Sequence, residues 1–133
     1  MPRCSSFLGI PSLVAATRLP AVADYEAELL TRFGDRTFLR SMARLFEADA
    51  AKSLSRIRQA IARGDAEELR SAAHALKGSA GNFLADAAVE AAQQLEIMGR
   101  EHNLLGADES LIRLEAEIAA LTQRLAALGR KKR

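Results

Sequence analysis

The sequence predicts an all-helical fold, an antiparallel up-down four-helix bundle preceded by a short extra N-terminal helix. Three observations carry this expectation. All three prolines, Pro2, Pro11 and Pro20, fall in the first twenty residues, so nothing breaks a helix by proline chemistry afterwards. Ala, Leu, Arg and Glu dominate and are good helix formers, whereas the Val and Ile that favour sheets are sparse. From Val22 onward, apolar residues recur at spacings of three and four, the period of a helix with one buried face. A chain of 133 residues with 49% apolar content suits one domain with a sizeable core.

Residues 1–20 read as a leader or linker. A short helix fits about Asp24 to Arg32, with Asp24 as its N-cap, and Gly34-Asp35 ends it. Leu39, Met42, Ala43, Phe46, Ala50, Leu54, Ile57 and Ile61 form one stripe on a long helix, from about Arg36 to Arg63. Gly64 suits the left-handed residue after that helix, and Asp65 suits the N-cap of the next. The carboxylates of Glu67 and Glu68 then sit in a first turn, where the helix dipole favours them. The third long segment runs from about Ala66 to Phe83 and the fourth from about Ala85 to Arg100, with Ala88, Ala92, Leu95 and Met98 inward. After a turn containing Gly106, a last helix from about Glu109 to Leu128 carries Leu111, Leu114, Ile118, Leu121, Leu125 and Leu128, and Gly129 is expected to stop it. The bundle domain is therefore placed at residues 21–129, with a basic tail at 130–133. Short connections make sequential helices antiparallel neighbours, and the short first helix would cap one end.

The bulk numbers exclude several function classes. Nineteen basic and 17 acidic residues leave a net charge of +2, no strong field for nucleic acid or an anionic membrane. The Arg130-Lys131-Lys132-Arg133 tail reads as a solvated end. Cys4 is the single cysteine, so no disulfide framework can form within the chain; this suits a reducing cytosol. No segment reaches the roughly 18–20 apolar residues of a membrane helix. The apolar stretch from Phe7 to Ala16 is short for a signal peptide and is broken by Gly9, Pro11 and Ser12.

One side chain faces the wrong way for a core residue. On a helical wheel, Leu69, Leu76 and Phe83 fall within about 40° of one another and mark the buried stripe, flanked by Ala72, Ala73 and Ala80. His74 sits roughly 140° from the stripe, on the solvent side. A lone helical histidine is most often just a polar surface residue. Its neighbours argue for more. Gly78, one turn later on the same face, costs about 1 kcal/mol against Ala in a helix interior. In so Ala-rich a chain, alanine was available there. A missing side chain beside an imidazole leaves room for something bulky to approach. Lys77 adds a cation able to neutralise a phosphate, and an exposed imidazole offers a ring nitrogen that can act as a nucleophile. Ala75, Ala73 and part of Phe83 could form an apolar rim around the histidine.

Ala73-His74-Ala75-Leu76-Lys77-Gly78-Ser79-Ala80-Gly81-Asn82-Phe83 resembles the signature of histidine phosphotransfer (HPt) domains. That signature reads His-x-Leu-Lys-Gly-Ser-Ala/Ser, followed by an Asn-Leu/Phe-Gly-Ala turn. The Leu95-Glu96 pair, Arg100 and the upstream run from Phe33 to Phe46 are similar to the family's pattern too, so the likeness covers about residues 22–128. One departure is clear: Leu84 stands where the family usually has Gly, which puts the shape of that turn in question.

The resemblance implies a phosphorelay carrier. A receiver-domain aspartate would give a phosphoryl group to His74, and a second receiver would take it. Lys77 would supply charge, Gly78 clearance, and Glu96 would orient the other ring nitrogen, with Arg100 one turn from Glu96. Without the family, Glu96 and Arg100 read equally as an intrahelical ion pair worth a few tenths of a kcal/mol. The resemblance implies response-regulator receivers as partners, one of them carried on a hybrid histidine kinase in some systems. It implies Mg²⁺ on the receiver and no cofactor on this domain, and a cytoplasmic monomer that binds no nucleic acid and inserts in no membrane. No Gly-rich nucleotide loop is evident, so no kinase activity of its own is expected. The alternative from another class is a non-catalytic helical adaptor or dimerisation bundle whose histidine is inert. His102 reads as a helix-end residue, and Ser79 lies roughly 140° from His74 on the wheel, with no triad acid in evidence.

Overall fold

The computed structural model describes residues 22–130. The leader or linker placed at residues 1–20, Cys4 and the tail residues 131–133 lie outside them. Every regular element within them is an α-helix: α1 (Val22–Phe33), α2 (Arg36–Arg63), α3 (Ala66–Gly81), α4 (Asp86–Arg100) and α5 (Ala107–Arg130). Helices α2 to α5 form the up-down bundle, each packed on its sequence neighbour, with α5 closing the ring against α2. Helices α3 and α5 therefore stand on one diagonal.

Local chemistry sets the corners. Asp35 caps α2, its carboxylate accepting from the Phe38 N–H at 2.7 Å. Gly64 ends α2 in the left-handed region at φ 69°, and the N–H groups of Gly64 and Asp65 reach back to Ile61 O and Ala60 O. This is the double bond pattern that closes many helices at a glycine. Asp65 then caps α3 through the Glu68 N–H at 3.1 Å.

Several ends differ from the expected ones. Helix α1 starts at Val22, so Asp24 lies inside its first turn and acts on the dipole instead of capping. Helix α3 ends at Gly81, two residues before Phe83, because the chain tightens there: the N–H groups of Asn82, Phe83 and Leu84 bond three residues back. Helix α5 begins at Ala107, earlier than Glu109, and runs through Gly129 to Arg130. A glycine near a helix end costs only about 1 kcal/mol, and it stops a helix only where the chain must turn back.

The turn between α3 and α4 answers the question raised by Leu84. Leu84 adopts φ 58°, the left-handed conformation a glycine would take freely. A leucine there costs about 1 kcal/mol. Its side chain packs against the core, which offsets part of that cost. The turn is also held from outside. Tyr25 of α1 is fully buried, and its hydroxyl donates to the Phe83 carbonyl at 2.6 Å. Phe83 in turn stacks on Phe33 and meets Phe46, with ring centroids 5.3 and 5.2 Å apart. Arg36 of α2 pairs with Glu26 of α1, completing the attachment.

Burial pushes the Tyr25 hydroxyl up to about 12, with the Arg124 guanidinium over its ring pulling weakly the other way. The folded protein thus holds a proton that the unfolded chain loses near pH 10. Stability from this group is complete below pH 10 and drains away as pH rises toward about 12. Tyr25→Phe should cost about 1 kcal/mol at pH 7 by leaving the Phe83 carbonyl unpaired, and should flatten that alkaline loss. Urea unfolding at pH 7 and pH 11 checks both.

Candidate functional site

The site is built on α3 and α4, the most intimately packed pair of helices. The cause of their closeness is Gly99 of α4, which is buried against the first turns of α3. A Cβ placed on Gly99 would lie 2.6 Å from Arg70 N and 2.7 Å from Ala66 O. Only a glycine lets the two backbones approach this far. One turn before Gly99, Glu96 enters the same interface.

His74 projects from α3 to solvent, its side chain 65% exposed, while that of Glu96 is 5% exposed. Nδ1 of His74 lies 2.9 Å from Glu96 Oε2. Nζ of Lys77 lies 2.7 Å from Glu96 Oε1, and Nη2 of Arg100 donates to Oε2 at 3.1 Å. One buried carboxylate therefore holds an exposed imidazole and two cations. Burial alone would raise the Glu96 pKa; the hydrogen bonds from Lys77 and His74, with their charges, outweigh it and hold the carboxyl below its usual range. Gly78, on the exposed face one turn after His74, has open space where a Cβ would stand.

Of the five residues singled out in the sequence, His74, Lys77, Glu96 and Arg100 thus meet in one cluster, and Gly78 lies beside it. Two details differ from expectation. Lys77 does not stand free beside the ring; the buried carboxylate draws it in. The apolar rim is not the one expected, since Ala73 and Phe83 are buried and only Ala75 is exposed. The expected intrahelical pair of Glu96 with Arg100 is present, but it is one spoke of a larger hub. Ser79 is half-buried, and His102, two residues past α4, has a left-handed backbone at φ 55° and an exposed side chain.

A model of the Hpt domain family matches residues 41–126, a stretch that includes all five residues. The chain belongs to the Hpt domain family. Neither a curated protein nor a solved structure matches it. Hpt domains carry phosphoryl groups on a histidine in phosphorelays and interact with receiver domains. Among the described residues of this Hpt domain, no helix is long and apolar enough to cross a membrane.

Sequence reasoning missed Gly99 altogether, and its only signal was a glycine inside an otherwise continuous helical pattern. It also missed that Glu96 is buried. Glu96→Gln in this Hpt domain should lower stability by about 1–2 kcal/mol at pH 7, since the amide cannot serve three donors. The sign of the pH dependence follows from the lowered pKa. The contribution of the carboxylate is complete above the ordinary carboxylate range and is lost as pH falls through the folded value. The gap between wild type and Glu96→Gln should therefore narrow toward pH 3 in urea titrations. A gap that stays constant would mean the charge of Glu96 is not what matters.

Proposed function

We propose that His74 is the phosphoacceptor, taking a phosphoryl group from a receiver-domain aspartate and passing it to a second receiver. The observation that supports this most is the contact between Nδ1 and Glu96. An ionised carboxylate only accepts, so Nδ1 must carry the hydrogen. In the neutral ring the lone pair then resides on Nε2, the nitrogen away from Glu96. One buried group thereby selects the tautomer and aims the nucleophile at solvent.

In the transfer, Nε2 attacks the phosphorus of the aspartyl phosphate. The bond from phosphorus to the aspartate oxygen breaks, and the carboxylate leaves with its electron pair. No proton has to move: the ring becomes a phosphoimidazolium, positive and still bonded through Nδ1–H to Glu96. The reverse step delivers the group to a second aspartate. A loose transition state spreads charge over three oxygens, so positioning and electrostatics do most of the work. Lys77 and Arg100 keep the surroundings of the ring positive, and the open face at Gly78 lets the partner's aspartate approach. In this proposal Mg²⁺ is held by the receiver and no cofactor by this chain. The donor is a receiver domain, free or carried on a hybrid kinase, working in the cytoplasm.

The test is incubation of this chain with receiver domains phosphorylated by radiolabelled acetyl phosphate. The expected label is removed by acid and survives alkali, as for a phosphohistidine. Absence of label from every receiver tried, or a label stable to acid, would favour the inert adaptor instead.

A further inference from the structure

Helix α2 carries six arginines. Four of them are tied down: Arg36 pairs with Glu26, Arg56 with Glu68 and Arg58 with Glu115, while Arg63 donates to Gln59. Arg40 and Arg44 are different. They stand one turn apart, and neither has a hydrogen bond or an ion pair among the described residues. Glu47, one turn beyond Arg44, has none either, although a carboxylate three residues on is within reach of an arginine.

These three charges line a groove of about 290 Å³ between the first half of α2 and the last turns of α5. Its floor is apolar. Phe46 and Leu125 are buried and Ala43 is half-buried. Phe46 is held in place by its contact with the Phe83 ring. From α5, Thr122 and Ala126 complete the lining. The two helices run in opposite directions, so Arg40 and Ala126 stand toward the α1 end of the groove, and Glu47 and Thr122 toward its middle. No residue of α3 or α4 lines it, which separates it from the cluster around His74.

The groove has the size and the mixed lining of a small-ligand site, at the lower end of the usual volumes. At roughly 30 Å³ for each water-sized group, it takes about ten heavy atoms. Two guanidinium groups about 6 Å apart along the helix suit an oxyanion, since each offers paired N–H donors and sheds its weakly held water readily. Glu47 limits the charge of the occupant. Two arginines against one glutamate leave the rim at +1, which a carboxylate cancels. A phosphate monoester, with a charge of about −2 at pH 7, overshoots it beside Glu47. The floor then asks for an apolar stem.

We infer that the groove between α2 and α5 is a binding site for a small amphiphilic carboxylate, its head between Arg40 and Arg44 and its stem on Ala43, Phe46 and Leu125. The site stands apart from the proposed carrier role. The ends of the sequence do not match it in charge: residues 1–23 contain Arg3 and Arg18 and no acidic residue, and residues 131–133 are all basic. A molecule seated there bridges the first and last helices of the four-helix bundle, so its binding adds to the stability of the fold.

The test titrates octanoate into the full chain at pH 7, followed by circular-dichroism melting and by amide correlation spectra. Binding is expected to saturate, with a dissociation constant of about 1 mM or tighter. The melting temperature rises with octanoate concentration, and the amide shifts centre on residues 40–47 and 122–126. Acetate, which has the head alone, and 1-octanol, which has the stem alone, bind at least about tenfold more weakly. The double variant Arg40→Gln, Arg44→Gln loses at least about tenfold in octanoate affinity and melts near the wild type without ligand. Ala126→Glu sets a carboxylate on the opposite wall; it abolishes octanoate binding and itself raises the melting temperature. If the double variant melts early, Ala126→Glu decides. Octanoate that fails to saturate below about 10 mM, binds the double variant equally well or shifts amides elsewhere overturns the site. A wild-type dimer in sedimentation that Ala126→Glu splits assigns the groove to a second copy and overturns it too. Labelling of His74 by receivers is read separately, so neither reading falls with the other.

Discussion

The His74→Gln protein should take up no acid-labile phosphate from any receiver and should melt within about 3 °C of the wild type. The amide of glutamine has no nucleophilic lone pair comparable to that of the imidazole, so transfer should fall to background and not merely slow. The fold should not notice. The His74 side chain is 65% exposed, and Glu96 keeps its contacts to Lys77 and Arg100 when the ring is gone. Surface substitutions of this kind usually change stability by no more than about 0.5 kcal/mol. Label that persists on His74→Gln would move the carrier role to His102, the other histidine, which sits on a strained backbone just past the end of α4.

The second large effect concerns stability. Gly99→Ala should destabilise the protein by about 3 kcal/mol, lowering the melting temperature by roughly 10–20 °C. Alanine is the better helix former by about 1 kcal/mol, so sequence reasoning alone expects a gain. The structure reverses the sign. A methyl group 2.6 Å from Arg70 N meets backbone, which cannot rotate away as a side chain could. Helix α4 must therefore move off α3 or tilt. Either motion also draws Glu96 from His74, so the residual folded protein should transfer slowly. Gly78→Ala is the internal control. Its Cβ meets nothing within 4 Å, and the melting temperature should rise slightly. If both variants melt alike, the close approach of α3 to α4 is not as tight as these distances say.

These two glycines show what a sequence can and cannot disclose. Gly78 was legible because its role is local: it shares a helix face with His74, and helical period alone puts them together. Gly99 was not legible because its role depends on the backbone of another helix, and periodicity carries no information about which residues meet across an interface. The same division runs through the rest of the molecule. The Gly64-Asp65 corner was readable, since cap and left-handed residue act within a few positions of each other. The contact of Glu96 with His74 spans 22 residues and came only from likeness to a family, until the geometry placed it. Leu84 departs from the family pattern, yet nothing local says that a leucine accepts the left-handed conformation there. Tyr25, 58 residues upstream of Phe83, braces that turn.

The brace from α1 has a consequence for where this unit of folding ends. The match to the family model begins at residue 41, in the second turn of α2, and so leaves out α1 and the capped start of α2. A fragment excised at that border would keep the histidine, the carboxylate hub and most of all four bundle helices, yet it would lose Tyr25 and Leu29 from the interior. Phe83 and Leu84 would then sit at an uncovered seam, with a strained backbone and no lid. The stretch matched by the family model is thus shorter than the part of this molecule that packs around one core. The segment from Val22 to Arg40 lays Tyr25, Leu29 and Phe33 over that seam, so a cut near Gly34 is expected to loosen the Phe83 end of the bundle first.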